Sequence, residues 1–274
     1  DYHVIGKEIL WFHAVIWPAI LMALEIPLPA CIYAHSFWIS EGQKMSKSMG
    51  NFIDCELLDR YRDAYGLDTL RYFMATQGPL GATDSNFAAS QFHETYAADL
   101  VNTLGNCASR VTAMIGKYFE GKVPDECGPD GQRISVGDTD WPLLTQHAAK
   151  ESAALMADFN LSGSIAAAMG IIRKVDAFIN ATEPFKLAKD PEQHARLSAI
   201  LYQCAEAIRI AGSLLWPVMP DRCELLFKAL GQTFAPGEDH LQDLTQWGRL
   251  EPGTSVEKIA LFPRIDSALD VATS

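Results

Sequence analysis

Residues 44–51 read Lys44-Met45-Ser46-Lys47-Ser48-Met49-Gly50-Asn51, a polar loop set between an apolar, β-prone run and a helical pattern. Two ammonium groups three residues apart, interleaved with hydroxyls and followed by a glycine, supply point charges and donors able to follow a moving phosphate. A bare K-x-x-K pair is an ordinary solvated turn. The string K-M-S-K-S-x-G-N is far more restrictive, because it constrains the whole loop at once.

Upstream of the loop, Ile9, Phe12, Ile16 and Ile20 recur at helical spacing, which predicts a helix over 8–23 that Pro27 and Pro29 bring to an end. Residues 30–39 are β-prone and apolar enough for one buried strand, and Glu41-Gly42 then turns the chain into the lysine loop. Two short helices are predicted at 56–65 and 67–76, and Gly78-Pro79 with Gly81 break the chain after them. This helix, strand and loop order is that of an α/β unit, and it places a first domain at 1–88.

Beyond residue 88 the β signal fades. Leu100, Leu104, Ala108, Val111, Ile115 and Phe119 fall on one face of a long helix predicted over 90–119. A polar stretch rich in proline and glycine, 124–139, reads as a loop. Four helices are expected after it, at 141–159, 162–181, 191–215 and 220–230, the third capped by Asp190 with Pro191 at its first position. Such a series argues for an antiparallel helix bundle over 89–265, a partly extended stretch from 247 to 265 and a frayed tail at 266–274.

With 274 residues and 49% hydrophobic content the chain can bury a substantial core. Its longest apolar stretch, 11–24, is interrupted by His13 and Pro18 and is too short for a membrane span, and no signal-peptide pattern opens it. Six cysteines include no C-x-x-C pair and no histidine at zinc-like spacing, so no metal site is expected, and free thiols fit a reducing, cytoplasmic setting. A formal charge of −12 excludes a generally sticky nucleic-acid binder. Locally, residues 101–123 carry Arg110, Lys117 and Lys122 against Glu120 alone. The chain opens on Asp1-Tyr2-His3 without an initiator methionine, from which an internal piece of a longer protein is expected.

The lysine loop is the signature of class I aminoacyl-tRNA synthetases, and its surroundings resemble the methionyl-tRNA synthetase family. The matching stretches are Ile5-Gly6-Lys7-Glu8-Ile9 with Phe12-His13 and Trp17-Pro18-Ala19, Ala34-His35-Ser36-Phe37-Trp38, the loop itself, and Tyr65-Gly66-Leu67-Asp68. They continue with Leu70-Arg71-Tyr72-Phe73, residues 102–110, Glu183-Pro184-Phe185-Lys186 and the closing Leu261-Phe262-Pro263-Arg264-Ile265. The resemblance covers nearly the whole chain, with a gap at about 120–140. It implies a truncated, Rossmann-type α/β remnant followed by an all-α anticodon-binding bundle. The implied chemistry is activation of methionine by ATP, carried with Mg2+ as substrate, and transfer to tRNA(Met).

Spacing alone puts Ile9, His13 and Trp17 on one helix face, with a drift of about 40° per step, where they read equally as core. The resemblance implies that they contact the methionine side chain, for which aromatic faces suit a polarizable thioether. It implies that Gly6 and Glu8 belong to the ATP site, with Glu8 standing where the family usually has Asp. In the loop it implies Lys47 as principal stabiliser of the departing pyrophosphate, assisted by Lys44 and Ser46. Asn106 and Arg110 are four residues apart and about 200° from Leu104, so they are expected to project together into solvent. By resemblance they read bases of the CAU anticodon, with Phe185 stacking where the family has Trp.

The H-I-G-H motif that completes the ATP site of class I synthetases does not occur in the chain. The 274 residues are therefore expected to be inactive alone and to retain anticodon binding, any zinc insertion lying upstream of Asp1. Two other readings share the same residues: another class Ia synthetase, which the Ile9/His13/Trp17 face and the F-P-R ending oppose, and a non-catalytic tRNA-binding module. Trp141, Trp216 and Trp247 are expected to be packing residues.

Overall fold

The structure is a computed structural model and describes residues 1–46, 48, 51–233 and 240–269. The first part is α/β. Strand β1 (Tyr2–Gly6) runs parallel to β2 (Cys31–His35), with Tyr2 opposite Cys31 and Gly6 opposite His35. The crossover between them is the expected helix, built from a 3-10 turn (Lys7–Ile9), a π-helical segment (Phe12–Ile16) and helix α1 (Trp17–Ala23).

That helix does not wait for its prolines. Glu25 adopts φ 55°, the Ile26 amide donates to the Leu21 carbonyl at 2.9 Å, and the Glu25 amide donates to that of Met22 at 3.2 Å. This pair of bonds is a Schellman stop, formed with glutamate in the position that glycine usually fills, two residues ahead of Pro27.

The single buried strand expected over 30–39 is in fact two half-buried strands. β2 ends at His35, and β3 (Trp38–Ser40) belongs to a second sheet of order β4-β3-β5, with β4 at Gln43–Lys44 and β5 at Ser85–Phe87. The break has a hydrogen-bonding cause. The Ser36 amide donates to the Pro79 carbonyl at 2.9 Å and the Phe37 amide to Asp84 Oδ1 at 3.0 Å, so both leave the ladder for the 78–84 segment.

Helices α2 (Cys55–Tyr65) and α3 (Leu67–Gln77) follow the loop, and a long helix then runs through α4 (Ala89–Thr95), a π-helical stretch (Tyr96–Gly105) and α5 (Asn106–Tyr118). Rings from four elements meet at the junction of the two parts. Phe92 lies 4.6 Å from Tyr61, 4.7 Å from Phe73 and 5.0 Å from Tyr65, and Phe87 closes the cluster 5.2 Å from Tyr61.

The bundle is completed by α6 (Trp141–Ala157), α7 (Leu161–Thr182), the short α8 (Pro184–Leu187), α9 (His194–Leu215), α10 (Pro220–Ala229) and a single turn, α11 (Leu241–Leu244). Its centre is α9, buried at every position from Leu197 to Leu215, with α5, α6, α7 and α10 around it. Most of its residues are apolar on every face, and its buried charges, Glu206 and Arg209, pair with each other, which suits the middle of a bundle. Trp141 is fully buried against Phe178, and Trp216 and Trp247 pack half-buried on the core. No described helix is long and apolar enough to cross a membrane.

Candidate functional site

The lysine loop hangs from the β3–β4 hairpin. Glu41 (φ 49°) and Gly42 (φ 76°) both take the left-handed conformation that a two-residue hairpin turn demands, and the Gly42 amide is held by Asn86 Oδ1 at 2.8 Å. Lys44, the last residue of β4, is exposed. The loop is closed by Asn51, whose Oδ1 accepts the Ser46 amide at 2.9 Å and whose Nδ2 donates to the Lys44 carbonyl at 3.2 Å. Ser46 and Ser48 hydroxyls lie 2.8 Å apart. Lys47 lies outside the described residues.

The crossover helix presents His13 and Trp17 together to a cavity of about 410 Å³, shared with His3, Phe12, Ile16 and Ile20. Ile9 is not among its lining residues. The expectation that all three share one pocket assumed a uniform turn of about 100° per residue. Here Ile9 ends a 3-10 turn and His13 lies in a π-helical segment that opens at Phe12, so the rotation between them departs from that of an α-helix.

The same irregularity fixes the histidine. In the widened segment the Trp17 amide donates to Phe12, five residues back, and the His13 ring Nδ1 stands 3.0 Å from the Ile9 carbonyl. A carbonyl only accepts, so this contact assigns a proton to Nδ1, and in the neutral ring Nε2 is then the acceptor. Phe12, which lines the cavity, is exposed, as is Trp11 next to it in the chain.

Gly6 ends β1, and Glu8 folds back over it, so that a Cβ on residue 6 would run into the Glu8 carboxylate. Lys7 pairs with Asp84, Nζ to Oδ1, at 2.5 Å. The Lys7 ammonium, assisted by the Phe37 amide, holds the Asp84 carboxyl below its usual range.

The third group of residues lies in the bundle. Asn106 is exposed at the start of α5, whereas Arg110 does not project freely with it into solvent, contrary to the pattern-based expectation. Its Nη1 donates to Asp176 Oδ1 at 3.0 Å and its Nη2 to Asn180 Oδ1 at 3.2 Å, both on α7. The face of α5 opposite Leu104 is a second contact face, because α7 packs alongside it. Burial pushes the Asp176 carboxyl above its usual range, and the Arg110 guanidinium pulls it back toward ionisation.

At the end of α7, Glu183 takes φ 45° and ψ 56° before Pro184, and Phe185 emerges 46% exposed. A left-handed residue ahead of proline is strained backbone, and here it aims an exposed ring at solvent. Asp176 and Asn180 were not singled out in the sequence, and Asn51 was read there only as the end of the loop string. The i, i+4 spacing of Asp176 and Asn180 on one helix is the signal that could have found those two.

The two parts are joined by α7 itself. Its 22 residues span ~33 Å. Just before its start Phe159 stacks on Tyr33 of β2, with ring centroids 4.6 Å apart, and just past its end stands Phe185. Among the described residues no three His, Cys, Asp or Glu side chains converge as a metal centre would require.

Residues 1–112 match the family model described as tRNA synthetases class I (M). The chain is 39% identical over 272 residues to the methionine–tRNA ligase of Streptomyces coelicolor, covering 97% of this chain and 49% of the relative. It is 38% identical over 280 residues to that of Caldanaerobacter subterraneus subsp. tengcongensis, covering 100% of this chain and 41% of the relative. Among solved structures it is similar to Mycobacterium tuberculosis methionyl-tRNA synthetase in complex with methionyl-adenylate, with a TM-score of 0.79 at 32% identity over 96% of this chain and 50% of that one. The apo form gives a TM-score of 0.82 at 29% identity. The chain thus spans about half the length, or less, of the proteins it matches.

Proposed function

Since the chain belongs to the methionyl-tRNA synthetase family, we propose that it serves as the part of such an enzyme that carries the lysine loop, the methionine face and the anticodon reader. The parent activity in this reading is methionine–tRNA ligation in the cytoplasm: methionine and ATP give methionyl-adenylate and pyrophosphate, and the methionyl group passes to tRNA(Met). The supporting observation is the K-M-S-K-S-x-G-N string, in a chain 39% identical along 97% of its length to a methionine–tRNA ligase.

In the activation step the methionine carboxylate attacks the α-phosphorus of Mg2+-bound ATP, and charge accumulates on the departing pyrophosphate. Cations that meet the phosphates more closely in the transition state than in the ground state lower the barrier. Lys47 takes that role, with Lys44 and Ser46 beside it. The His13–Trp17 cavity receives the methionine side chain, and the Ile9 carbonyl sets the histidine tautomer. Gly6 and Glu8 meet the nucleotide.

Residues 1–88 form the catalytic part and 89–265 the anticodon-binding part, in which Asn106 and Arg110 meet base edges of the CAU loop and Phe185 stacks on a base. Without an H-I-G-H string, these 274 residues by themselves form no methionyl-adenylate.

Lys47→Ala in a full-length enzyme is expected to slow methionine-dependent pyrophosphate exchange by at least about a hundredfold, with methionine affinity little changed. Unchanged exchange refutes the loop assignment. An anticodon stem-loop carrying CAU is expected to bind this chain more tightly than a scrambled loop, and equal affinities refute anticodon reading.

A further inference from the structure

We propose that Asp176 is a positioning residue for Arg110: a carboxylate that does not itself meet RNA fixes the guanidinium and converts it from a general phosphate binder into a reader of base edges. The inference rests on the anticodon reading given above.

A guanidinium carries five donors in one plane on a long, rotamer-rich stem. Left free on a helix surface it sweeps many orientations, and its charge draws phosphates of any sequence. Arg110 is not left free. Asp176 takes Nη1 at 3.0 Å and Asn180 takes Nη2 at 3.2 Å, which fixes the plane of the fork from the α7 side and leaves three of its five donors outside these two bonds.

The support is rigid. Both acceptors lie one turn apart on the 22-residue α7, and the wall behind them is the fully buried Cys107, whose Sγ lies 3.8 Å from the Ile172 carbonyl. The Asp176 side chain is less exposed than that of Arg110, 23% against 34%, so the guanidinium is the more open of the two to a ligand. Asp176 also neutralises the Arg110 charge locally. A paired guanidinium has little to offer a phosphate and keeps its directional hydrogen bonds for a base edge, which favours specificity over raw affinity.

The test is a binding panel with the whole 274-residue chain. Stem-loops carrying CAU and loops altered at one anticodon position each are titrated against the unsubstituted chain, Asp176→Asn, Asp176→Ala, Arg110→Ala and the Arg110→Ala/Asp176→Ala double variant. The Asp176 variants are expected to lose about tenfold of the discrimination between CAU and the most strongly rejected loop, equivalent to ~1.4 kcal/mol. Affinity for the rejected loops holds or rises in those variants, because a charge has been unmasked. In the Arg110→Ala background, removing Asp176 changes nothing further.

A ratio of affinities is insensitive to any unfolded fraction, and Asp176→Asn keeps the shape of the side chain, so a folding defect cannot imitate the result. Unchanged discrimination in both Asp176 variants, with Arg110→Ala collapsing it, overturns the positioning role and leaves the anticodon reading standing. No discrimination by the unsubstituted chain, or none lost in Arg110→Ala, removes the anticodon reading and this inference with it.

Discussion

Asn51 closes the lysine loop on Ser46: its Oδ1 accepts the Ser46 amide at 2.9 Å, and the other end of the same amide group donates to the Lys44 carbonyl at 3.2 Å. One side chain thereby ties Lys44, at the end of β4, to the loop residue Ser46 that follows it. Net hydrogen bonds contribute ~0.5–1.5 kcal/mol each, and exposed ones lie at the low end. Asn51→Ala is therefore expected to leave global stability within about 0.5 kcal/mol and to speed amide exchange at Ser46 roughly tenfold. Hydrogen exchange followed at single residues reads this directly. An unchanged Ser46 rate means that the loop is held by something else.

Glu206 and Arg209 form a buried fork in the middle of α9, with Nη2 at 2.7 Å from Oε1 and Nε at 2.9 Å from Oε2. The pair also anchors a distant segment. Glu206 accepts the amides of Gly248, Arg249 and Leu250, and Arg209 donates to the carbonyls of Leu244 and Gln246. Removing one partner strands a buried charge, which costs about 3–5 kcal/mol. Glu206→Ala is expected to reach that range and to exceed Arg209→Ala, since the carboxylate that remains in the second variant keeps its three amides. Urea denaturation of the two variants measures the order, and equal losses contradict it.

Regular helices and their caps were legible in the sequence because capping and periodicity are local. Asp190 caps as expected, by accepting the Glu192 amide at 3.0 Å, and the helices predicted at 56–65 and 67–76 begin and end within one residue of α2 and α3. What the sequence hid was non-local or irregular. The pairing of Arg110 with Asp176 depends on which face of α5 receives α7, and no periodicity in α5 alone records that. The separation of Ile9 from the His13–Trp17 cavity depends on a π-helical segment that preserves apolar spacing while changing the angle. The helix ends expected at 23, 159 and 181 lie within two residues of those observed, but the residues that make the stops, Glu25, Phe159 and Glu183 in the left-handed region, are not ones that composition marks as breakers.

Asp68 gives a pH signature. It is 2% exposed, its Oδ2 accepts the Arg222 amide at 2.6 Å, and its Oδ1 has no hydrogen-bond partner. Burial is the largest influence and pushes the carboxyl above its ordinary 3.8 despite that amide. A group whose folded pKa is raised contributes stability that is fully present below the unfolded value and is lost as pH rises through the folded one. Asp68→Asn removes the titration. Its stability relative to the unsubstituted chain is therefore expected to improve as pH rises from 3.8 upward, and denaturant melts at a series of pH values follow the trend. A difference that is flat or opposite in slope excludes a raised Asp68 pKa.

Phe159 holds the turn between α6 and α7 in a conformation that suits it poorly. Its amide donates to the Met156 carbonyl at 3.1 Å, the Asn160 amide donates to Leu155 at 2.8 Å, and Phe159 itself takes φ 60°, so α6 ends in a Schellman motif with phenylalanine where glycine is favoured. Asn160 then caps α7 by accepting the Gly163 amide at 2.9 Å. A left-handed L-residue costs roughly 1–2 kcal/mol. The compensation is the stack on Tyr33, at 4.6 Å and 18° between planes, with Tyr2 tilted against the same ring at 5.8 Å. Such aromatic contacts contribute ~0.5–1.5 kcal/mol beyond area burial. Phe159→Ala loses the stack and keeps the strain, whereas Phe159→Gly loses the stack and releases the strain. Glycine is therefore expected to be more stable than alanine here by about 1 kcal/mol, the reverse of their order inside a helix. Both variants are expected to be less stable than the unsubstituted chain. Thermal or urea melts of the three proteins decide it: alanine equal to or above glycine means that the turn relaxes out of the left-handed region once the ring is gone, and that Tyr33 is what holds it there.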